Sequence, residues 1–203
     1  MANKSKKKEL KTIVREKYGQ IAKQSKLQNQ TSCCGVGASC YEPGDTEKMI
    51  DKARTNAKKI GFSNVRFIYG DIEAILLEDN VADVVVSNCV MNLVPSKEKA
   101  YAETYRILKP GGHFSISDIV IEGELPEELK KAAEMYAGCV SGAIQKDDYL
   151  SIITKSGFKN MEVQKKKPIV LPTEILETYL DTDGLAAFNK AQGIYSITVY
   201  AEK

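Results

Sequence analysis

The stretch that most constrains the fold of this chain is residues 81–93, with the sequence VADVVVSNCVMNL. Its first half is a short β-branched run after an acidic turn, and such a run is typical of a strand that is buried on both faces of a parallel sheet. Its second half brings Ser87, Asn88 and Cys89 to the point where the strand should end. Because ligands of open α/β sheets bind outside the carboxyl ends of the strands, we expect a functional site at Asn88 and Cys89.

Helices and strands alternate along the rest of the sequence. Amphipathic spacing predicts helices over residues 6–26 and 45–59, with a loop over residues 31–44. Ser96 is the predicted N-cap of a later helix, which Pro110 ends. Another helix is predicted from Asp147 to about Gly157.

Further strands complete a βαβ order. Residues 65–69 and 113–119 predict strands, and residues 109–112 predict the turn before the second of these. Residues 161–166 and 195–200 alternate apolar with polar side chains, which predicts two late strands near a sheet edge. The order predicts an α/β fold with a doubly wound, mostly parallel sheet and an antiparallel late strand.

Composition narrows the class of function. Lys and Arg number 29 against 27 Asp and Glu, so the net charge of +2 gives no basic footprint for nucleic acid. No apolar run approaches membrane-spanning length, and the charged N-terminus lacks a signal-peptide core, so we expect a cytoplasmic protein with no membrane partner. Five cysteines in a reducing compartment predict no disulfide framework, and Cys33, Cys34 and Cys40 lack the paired spacing of a zinc site.

Several motifs together identify a family. KPGG at 109–112 and GDIE at 70–73 are weakly specific, whereas a second set, joined to the vicinal Cys33 and Cys34, is much sharper. That set is SNCVMNL at 87–93, SDIV at 117–120, GELP at 123–126 and GCVSGA at 138–143. The first pair resembles the class I S-adenosylmethionine-dependent methyltransferases, and the full combination resembles the arsenite methyltransferases from about residue 47 to the C-terminus.

The resemblance implies transfer of a methyl group from S-adenosyl-L-methionine to thiol-bound arsenite, in arsenic detoxification. It implies Cys89 and Cys139 as the catalytic residues and as the ligands of As(III). Cys33 and Cys34 would capture or deliver arsenic or exchange thiols, with a thiol reductant as co-substrate. The partners implied are therefore a small-molecule substrate, arsenite or its thiol conjugate, and a thiol reductant system.

The resemblance also implies a cofactor-binding set. Asp71, Ile72, Glu73 and Asn88 would line the S-adenosyl-L-methionine. From the residue types alone, a solvated loop explains Asp71 and Glu73 equally well, and a strand-end cap explains Asn88.

Arsenic chemistry fits these thiols independently of the family. Trivalent arsenic is soft, so its site needs two or three thiolates that converge on one atom. Thiolate ligation leaves a lone pair on arsenic as the nucleophile, and the protein then contributes positioning and desolvation more than acid–base chemistry. Taken singly, Cys89 and Cys139 each have an alternative explanation as small buried packing residues.

The chain departs from the family at the cofactor loop. A first strand that ends in an acidic residue, with its Gly-x-Gly loop, is absent, and Gly35-Val36-Gly37 lacks the flanking strand and helix. Either the protein lacks the first strand–loop–helix–strand unit, or the sequence joins segments that are separated in the natural chain. We favour the second, with breaks near Cys40/Tyr41 and Thr46/Glu47, because loss of a central strand would expose the apolar face of residues 82–86.

Three regions are predicted. Residues 1–40 form an N-terminal helix and cysteine loop, residues 41–122 an incomplete methyltransferase core, and residues 123–203 the helices and late strands that complete the core and substrate site. Two other functions stay open: a class I methyltransferase of a small organic acceptor such as a quinone precursor, with thiols that only pack, and a non-catalytic metalloid-binding protein.

Overall fold

Four strands form one mixed sheet in the part of the chain that the structure describes. The computed structural model describes residues 45–123, 140–169 and 193–203. The strands are β1 (Ala82–Asn88), β2 (Leu108–Ile121), β3 (Lys159–Pro168) and β4 (Ile194–Glu202), in the order β1-β2-β4-β3. The pair β1–β2 is parallel, and β4 is antiparallel to both β2 and β3. The predicted strands at 82, 113, 161 and 195 are therefore confirmed, including the antiparallel late strands.

Within the described ranges, three α-helices and two short 3-10 turns accompany the sheet. The helices are α1 (Asp45–Lys59), α2 (Lys97–Ile107) and α3 (Lys146–Lys155), and the turns are Met91–Leu93 and Val140–Gly142. The side chain of Ser96 accepts a hydrogen bond from the Lys99 N–H, at 3.4 Å, which confirms the predicted N-cap. None of the helices in the described ranges is long and apolar enough to cross a membrane.

Helix α1 spans the junction between Thr46 and Glu47. The expected break in the natural sequence at that junction stays a prediction. The second expected break, at Cys40/Tyr41, lies outside the described residues, as do the predicted helix over 6–26 and the loop over 31–44.

The chain divides into two compact units between Asp71 and Ile72. The first contains α1 and the segment that follows it, and the second contains the whole sheet, α2, α3 and both 3-10 turns. The three predicted regions, with boundaries at 40/41 and 122/123, stay a prediction.

The core of the second unit is aromatic. Along β2, alternate residues Phe114, Ile116 and Val120 are fully buried on one face, as the period of two requires. The Phe114 ring meets the Phe158 ring edge to face, with centroids 4.7 Å apart, and lies 5.8 Å from the ring of Tyr101 on α2. Helix α2 is thereby packed against β2 of the sheet.

Strand β1 is exposed, which corrects the prediction that it is buried on both faces. Val84 is 48% exposed and Val86 75% exposed, although Val85 is half-buried. The reason is that β1 is the last strand of the described sheet, so its outer edge has no neighbouring strand there. The exposed valines are the apolar face that loss of a central strand was expected to uncover.

The predicted strand over residues 65–69 is also wrong. The segment adopts no regular secondary structure, and Val65, Ile68 and Tyr69 are each more than 40% exposed. A β-strand needs a neighbour for its backbone hydrogen bonds, and no strand in the described part of the chain pairs with this segment. The alternation of apolar and polar residues favours a strand, but this segment has no paired strand among the described residues.

The predicted turn at 109–112 is a bulge inside β2. Ala82 pairs with Leu108 and Val84 with His113, so four residues of β2 face a single residue of β1. A Cβ on Gly112 would lie 2.9 Å from the carbonyl oxygens of Asp83 and Lys109. Only glycine fits there without displacing backbone, because these contacts involve main-chain atoms.

Candidate functional site

Cys89 directly follows β1, at the sheet edge where the sequence predicts a site. Its N–H donates to the Ser117 carbonyl oxygen at 2.7 Å, which extends the β1–β2 pairing by one residue. Its φ of +56° lies in the left-handed region, which non-glycine residues adopt rarely. The residue is half-buried and is not in a disulfide. The chain therefore turns sharply at the thiol.

Asn92 holds the turn that follows. It lies in the Met91–Leu93 turn and is fully buried. Its Nδ2 donates to the carbonyl oxygen of Ile119 at 2.9 Å, and its own carbonyl oxygen accepts from Lys97 Nζ at 3.4 Å. Asn92 thus ties the segment after Cys89 both to β2 and to the first residue of α2.

The second 3-10 turn packs against the first. A Cβ on Gly142 would lie 1.6 Å from the Asn92 carbonyl oxygen and 2.7 Å from the Asn92 carbonyl carbon. Glycine is required here because the two backbones approach within the space of a methyl group. Val140 and Gly142 lie within the GCVSGA segment, so this contact joins that segment to the one that carries Cys89.

A buried carboxylate lies beside the two turns. Asp118 is on the same face of β2 as Phe114 and is fully buried. Its Oδ2 accepts from the Tyr149 hydroxyl at 2.8 Å, and the Tyr149 hydroxyl oxygen accepts from the Tyr101 hydroxyl at 2.5 Å. Burial raises the pKa of Asp118 to about 6, against the opposing effects of the Tyr149 hydrogen bond, of Lys97 and of the Asn92 main chain.

Lys97 is the cation of this cluster. It is 7% exposed, and burial lowers its pKa although Asp118 and Glu98 act in the opposite direction. A lysine at the first position of a helix is unfavourable for the helix dipole, so its place there depends on these partners. Asn92, Lys97 and Asp118 together form a polar cluster inside an apolar core.

The raised pKa of Asp118 predicts a pH dependence of stability. A carboxyl group whose folded pKa lies above its unfolded value stabilises the fold fully below the unfolded pKa, and this contribution is lost as pH rises through the folded pKa. The rise from 3.8 to about 6 corresponds to about 3 kcal/mol. We expect the unfolding free energy of the wild type, minus that of Asp118→Asn, to fall by up to this amount between pH 4 and pH 7.

Urea unfolding of both proteins at several pH values checks this expectation. The difference isolates Asp118, because Glu103, whose pKa is lowered by Arg106, and the other carboxylates titrate in both proteins. Parallel stability curves for the two proteins would contradict it.

The predicted cofactor residues lie in different surroundings. Asp71 ends the first unit, whereas Ile72, Glu73 and Asn88 belong to the second. Ile72 is half-buried against the core, and Glu73 Oε1 accepts from the Ser96 N–H at 2.8 Å, at the start of α2. Asn88 is exposed at the end of β1. Their role towards a cofactor stays a prediction.

Cys89 lies within the described ranges, whereas the other thiols of the predicted site lie outside them: Cys33, Cys34 and Cys139. Among the residues that the structure describes, no group of three His, Cys, Asp or Glu side chains could hold a metal ion. The described part of the site is therefore a single thiol with a polar cluster behind it.

Sequence reasoning assigned no role to Asn92, Lys97, Asp118 or Gly142. A signal for Asp118 was present, because it interrupts the apolar period of two along β2 and so predicts a buried carboxylate. The contacts of Asn92 with Gly142 and Ile119 span 27 residues or more along the chain and leave no local pattern.

Comparison with known proteins agrees with this architecture. A family model described as a methyltransferase domain matches residues 45–157. An arsenite methyltransferase of Halobacterium salinarum is 39% identical over 121 residues, which cover 60% of this chain and 31% of that protein. The ubiquinone/menaquinone biosynthesis C-methyltransferase UbiE of Escherichia fergusonii is 34% identical over 94 residues, covering 45% of this chain and 36% of that protein.

A solved structure extends the likeness to three dimensions. The crystal structure of an arsenic(III) S-adenosylmethionine methyltransferase from Chlamydomonas reinhardtii superposes with a TM-score of 0.61 and 30% identity, covering 80% of this chain and 53% of that one. This chain thus spans about a third of the length of the curated relatives that it matches. The matched model and this structural neighbour share one architecture, and the chain belongs to the methyltransferase-domain family, with the class I S-adenosylmethionine methyltransferase fold.

Proposed function

We propose that this protein transfers a methyl group from S-adenosyl-L-methionine to thiol-bound As(III). The observation that carries the proposal is the contact between the turn after Cys89 and the turn that follows Cys139, where Gly142 meets the Asn92 carbonyl group. Cys139 is bonded to Val140, the first residue of that second turn. The proposal requires the two thiols to converge at this junction.

Cys89 and Cys139 would hold arsenic as thiolates. Soft As(III) prefers thiolate ligands, and two of them leave a lone pair on arsenic for attack on the methyl group. The half-buried position of Cys89 beside the fully buried Met91 supports partial exclusion of water from the bound arsenic. The tether of Cys89 to Ser117 would keep the thiol oriented, which is the contribution that an in-line transfer needs from the protein.

The cofactor, when bound, supplies an electrophilic methyl group. The residues present fit it in part, because Asn88 has an exposed amide at the end of β1. A Cβ at Gly70 would meet no atom within 4 Å. The backbone at Gly70 therefore does not form a tight binding loop for the cofactor. We propose Asp71, Ile72, Glu73 and Asn88 as the cofactor-binding residues, with one oxygen of Glu73 already engaged at α2.

The two remaining thiols of the proposed site would deliver arsenic to it. We infer that Cys33 and Cys34 capture arsenite or exchange thiols with a small-molecule reductant, which acts as co-substrate. The net charge of +2 favours a small-molecule substrate over nucleic acid, and we propose a cytoplasmic location without a membrane partner.

A second candidate function is methylation of a small organic acceptor such as a quinone precursor. The likeness to the ubiquinone/menaquinone biosynthesis C-methyltransferase favours it. In that case Cys89 and Cys139 would only pack. A metalloid-binding protein without catalysis is the third possibility, since the sequence around Gly35-Val36-Gly37 predicts neither the strand nor the helix that flank a nucleotide-binding loop.

One experiment separates the three functions. Purified protein is incubated with methyl-labelled S-adenosyl-L-methionine, As(III) and a small thiol, and labelled methylarsenic is measured for the wild type and for Cys139→Ser. Product that is lost in the variant supports arsenite methylation. Cofactor binding without arsenic turnover would overturn it in favour of the organic acceptor, and arsenic binding without cofactor binding would overturn it in favour of the binding protein.

A further inference from the structure

We propose that Asn92 is the positioning residue of the Cys89 thiol. Its function rests on the proposed arsenic chemistry, but its structural effect on Cys89 is measurable without arsenic. Asn92 acts through the backbone that carries Cys89 and not by contact with substrate or cofactor.

The backbone at Cys89 is strained. A φ of +56° costs free energy for a residue with a Cβ and persists only where the surroundings fix it. The Cys89 N–H is fixed to Ser117, and three residues later Asn92 Nδ2 is fixed to Ile119. Because two residues separate these anchors, the second one restricts the backbone angles of Cys89 itself.

The carbonyl group of Asn92 couples the turn after Cys89 to neighbouring elements. Lys97 Nζ donates to the Asn92 carbonyl oxygen, and the Gly142 backbone abuts the same carbonyl group. One residue thus fixes the turn after Cys89 relative to β2, to α2 and to the Val140–Gly142 turn. Any shift of Asn92 would move the Cys89 segment relative to all three.

The unpaired Oδ1 of Asn92 helps to distinguish a positioning role of this residue from a role in stability alone. Asn92 Oδ1 is buried with no hydrogen-bond partner among the described residues, which is unfavourable for a group that only fills space. Leucine has a similar volume and would remove that unpaired acceptor together with the Nδ2 donor. A purely structural role therefore predicts little change at Cys89 in Asn92→Leu, whereas a positioning role predicts a change in the reactivity of the thiol.

The test is the rate at which iodoacetamide alkylates Cys89 in the native 203-residue chain, measured by mass spectrometry on the peptide that contains Cys89. The matched control is Thr104→Val, which removes another buried side-chain hydrogen bond, from Thr104 Oγ1 to the Ala100 carbonyl oxygen at 2.8 Å. We expect alkylation to be about tenfold faster in Asn92→Leu, as loss of a buried hydrogen bond allows, and unchanged in the control. A rate within twofold of the wild type, or slower, would overturn the proposal.

A measurement on the wild type covers the case in which Asn92→Leu does not fold. Amide hydrogen exchange at Cys89 should be as slow as that of the β1 amides, and fast exchange there would overturn the proposal. Neither readout uses arsenic or cofactor. Failure of the wild type to methylate arsenite therefore overturns the proposed function alone, and an unchanged alkylation rate overturns this inference alone.

Discussion

Replacing Gly142 with alanine is expected to destabilise the protein by about 3 kcal/mol or more. The new Cβ would lie 1.6 Å from the Asn92 carbonyl oxygen. The backbone fixes the position of the Cβ, and the carbonyl oxygen is itself a backbone atom, so no side-chain rotation relieves the overlap and the Val140–Gly142 turn must separate from the Met91–Leu93 turn. In a chain of this size the loss corresponds to a fall in Tm of about 6–12 °C, which calorimetry or thermal circular dichroism measures.

Gly70→Ala is the control for the Gly142 variant. A Cβ at Gly70 would meet nothing within 4 Å, so we expect its stability to stay within about 0.5 kcal/mol of the wild type. The same methyl group is added in both variants, and the difference between them measures the close approach of the two turns. Equal melting temperatures for the two variants would mean that these turns do not pack together.

Local signals in the sequence predicted the local structure well. The Ser96 cap and the helix over 45–59 follow from side chains within a few residues of each other, and the structure confirms both. The position of Cys89 after a strand was likewise predictable, because the β-branched run ends in small polar residues.

Nonlocal features were not predictable in the same way. Residues 65–69 have the alternation of a strand, but whether they form one depends on a partner that the pattern cannot supply. The prediction that β1 is buried was wrong for a related reason, since Val84 and Val86 are exposed at the end of the described sheet. A β-branched run indicates strand propensity, and the number of neighbouring strands decides how much of it is buried.

The sequence predicted the chemistry of the candidate site better than its geometry. The thiol at position 89 follows from residue type and place in the chain, whereas the polar cluster behind it depends on three segments that meet only in the fold. Asn92, Lys97 and Asp118 come from the first turn, α2 and β2. The hydrogen bond from Asn92 to Ile119 alone joins residues 27 positions apart, beyond the range of any helical or strand period.

Replacing Cys89 with serine is expected to lower methylarsenic formation by at least about 100-fold. Loss of an outer partner of a metal ligand alone typically costs 10–100-fold, so loss of a ligand itself should reach the upper end of that range or exceed it. Serine keeps the size of the side chain and the backbone N–H bond to Ser117, so the turn at position 89 is retained. The rate of labelled product formation, measured at saturating cofactor, reports the loss.

Cys40→Ser is the matched control, because it makes the same chemical change at a cysteine with no proposed role. Cofactor binding, measured separately by titration, should be equal in the wild type and Cys89→Ser, since a soft thiolate is needed for arsenic and not for a sulfonium ion. Equal loss in both serine variants would point to general damage. Retention of activity in Cys89→Ser within about threefold would show that arsenic is held elsewhere, and the thiol at the end of β1 would then be a packing residue.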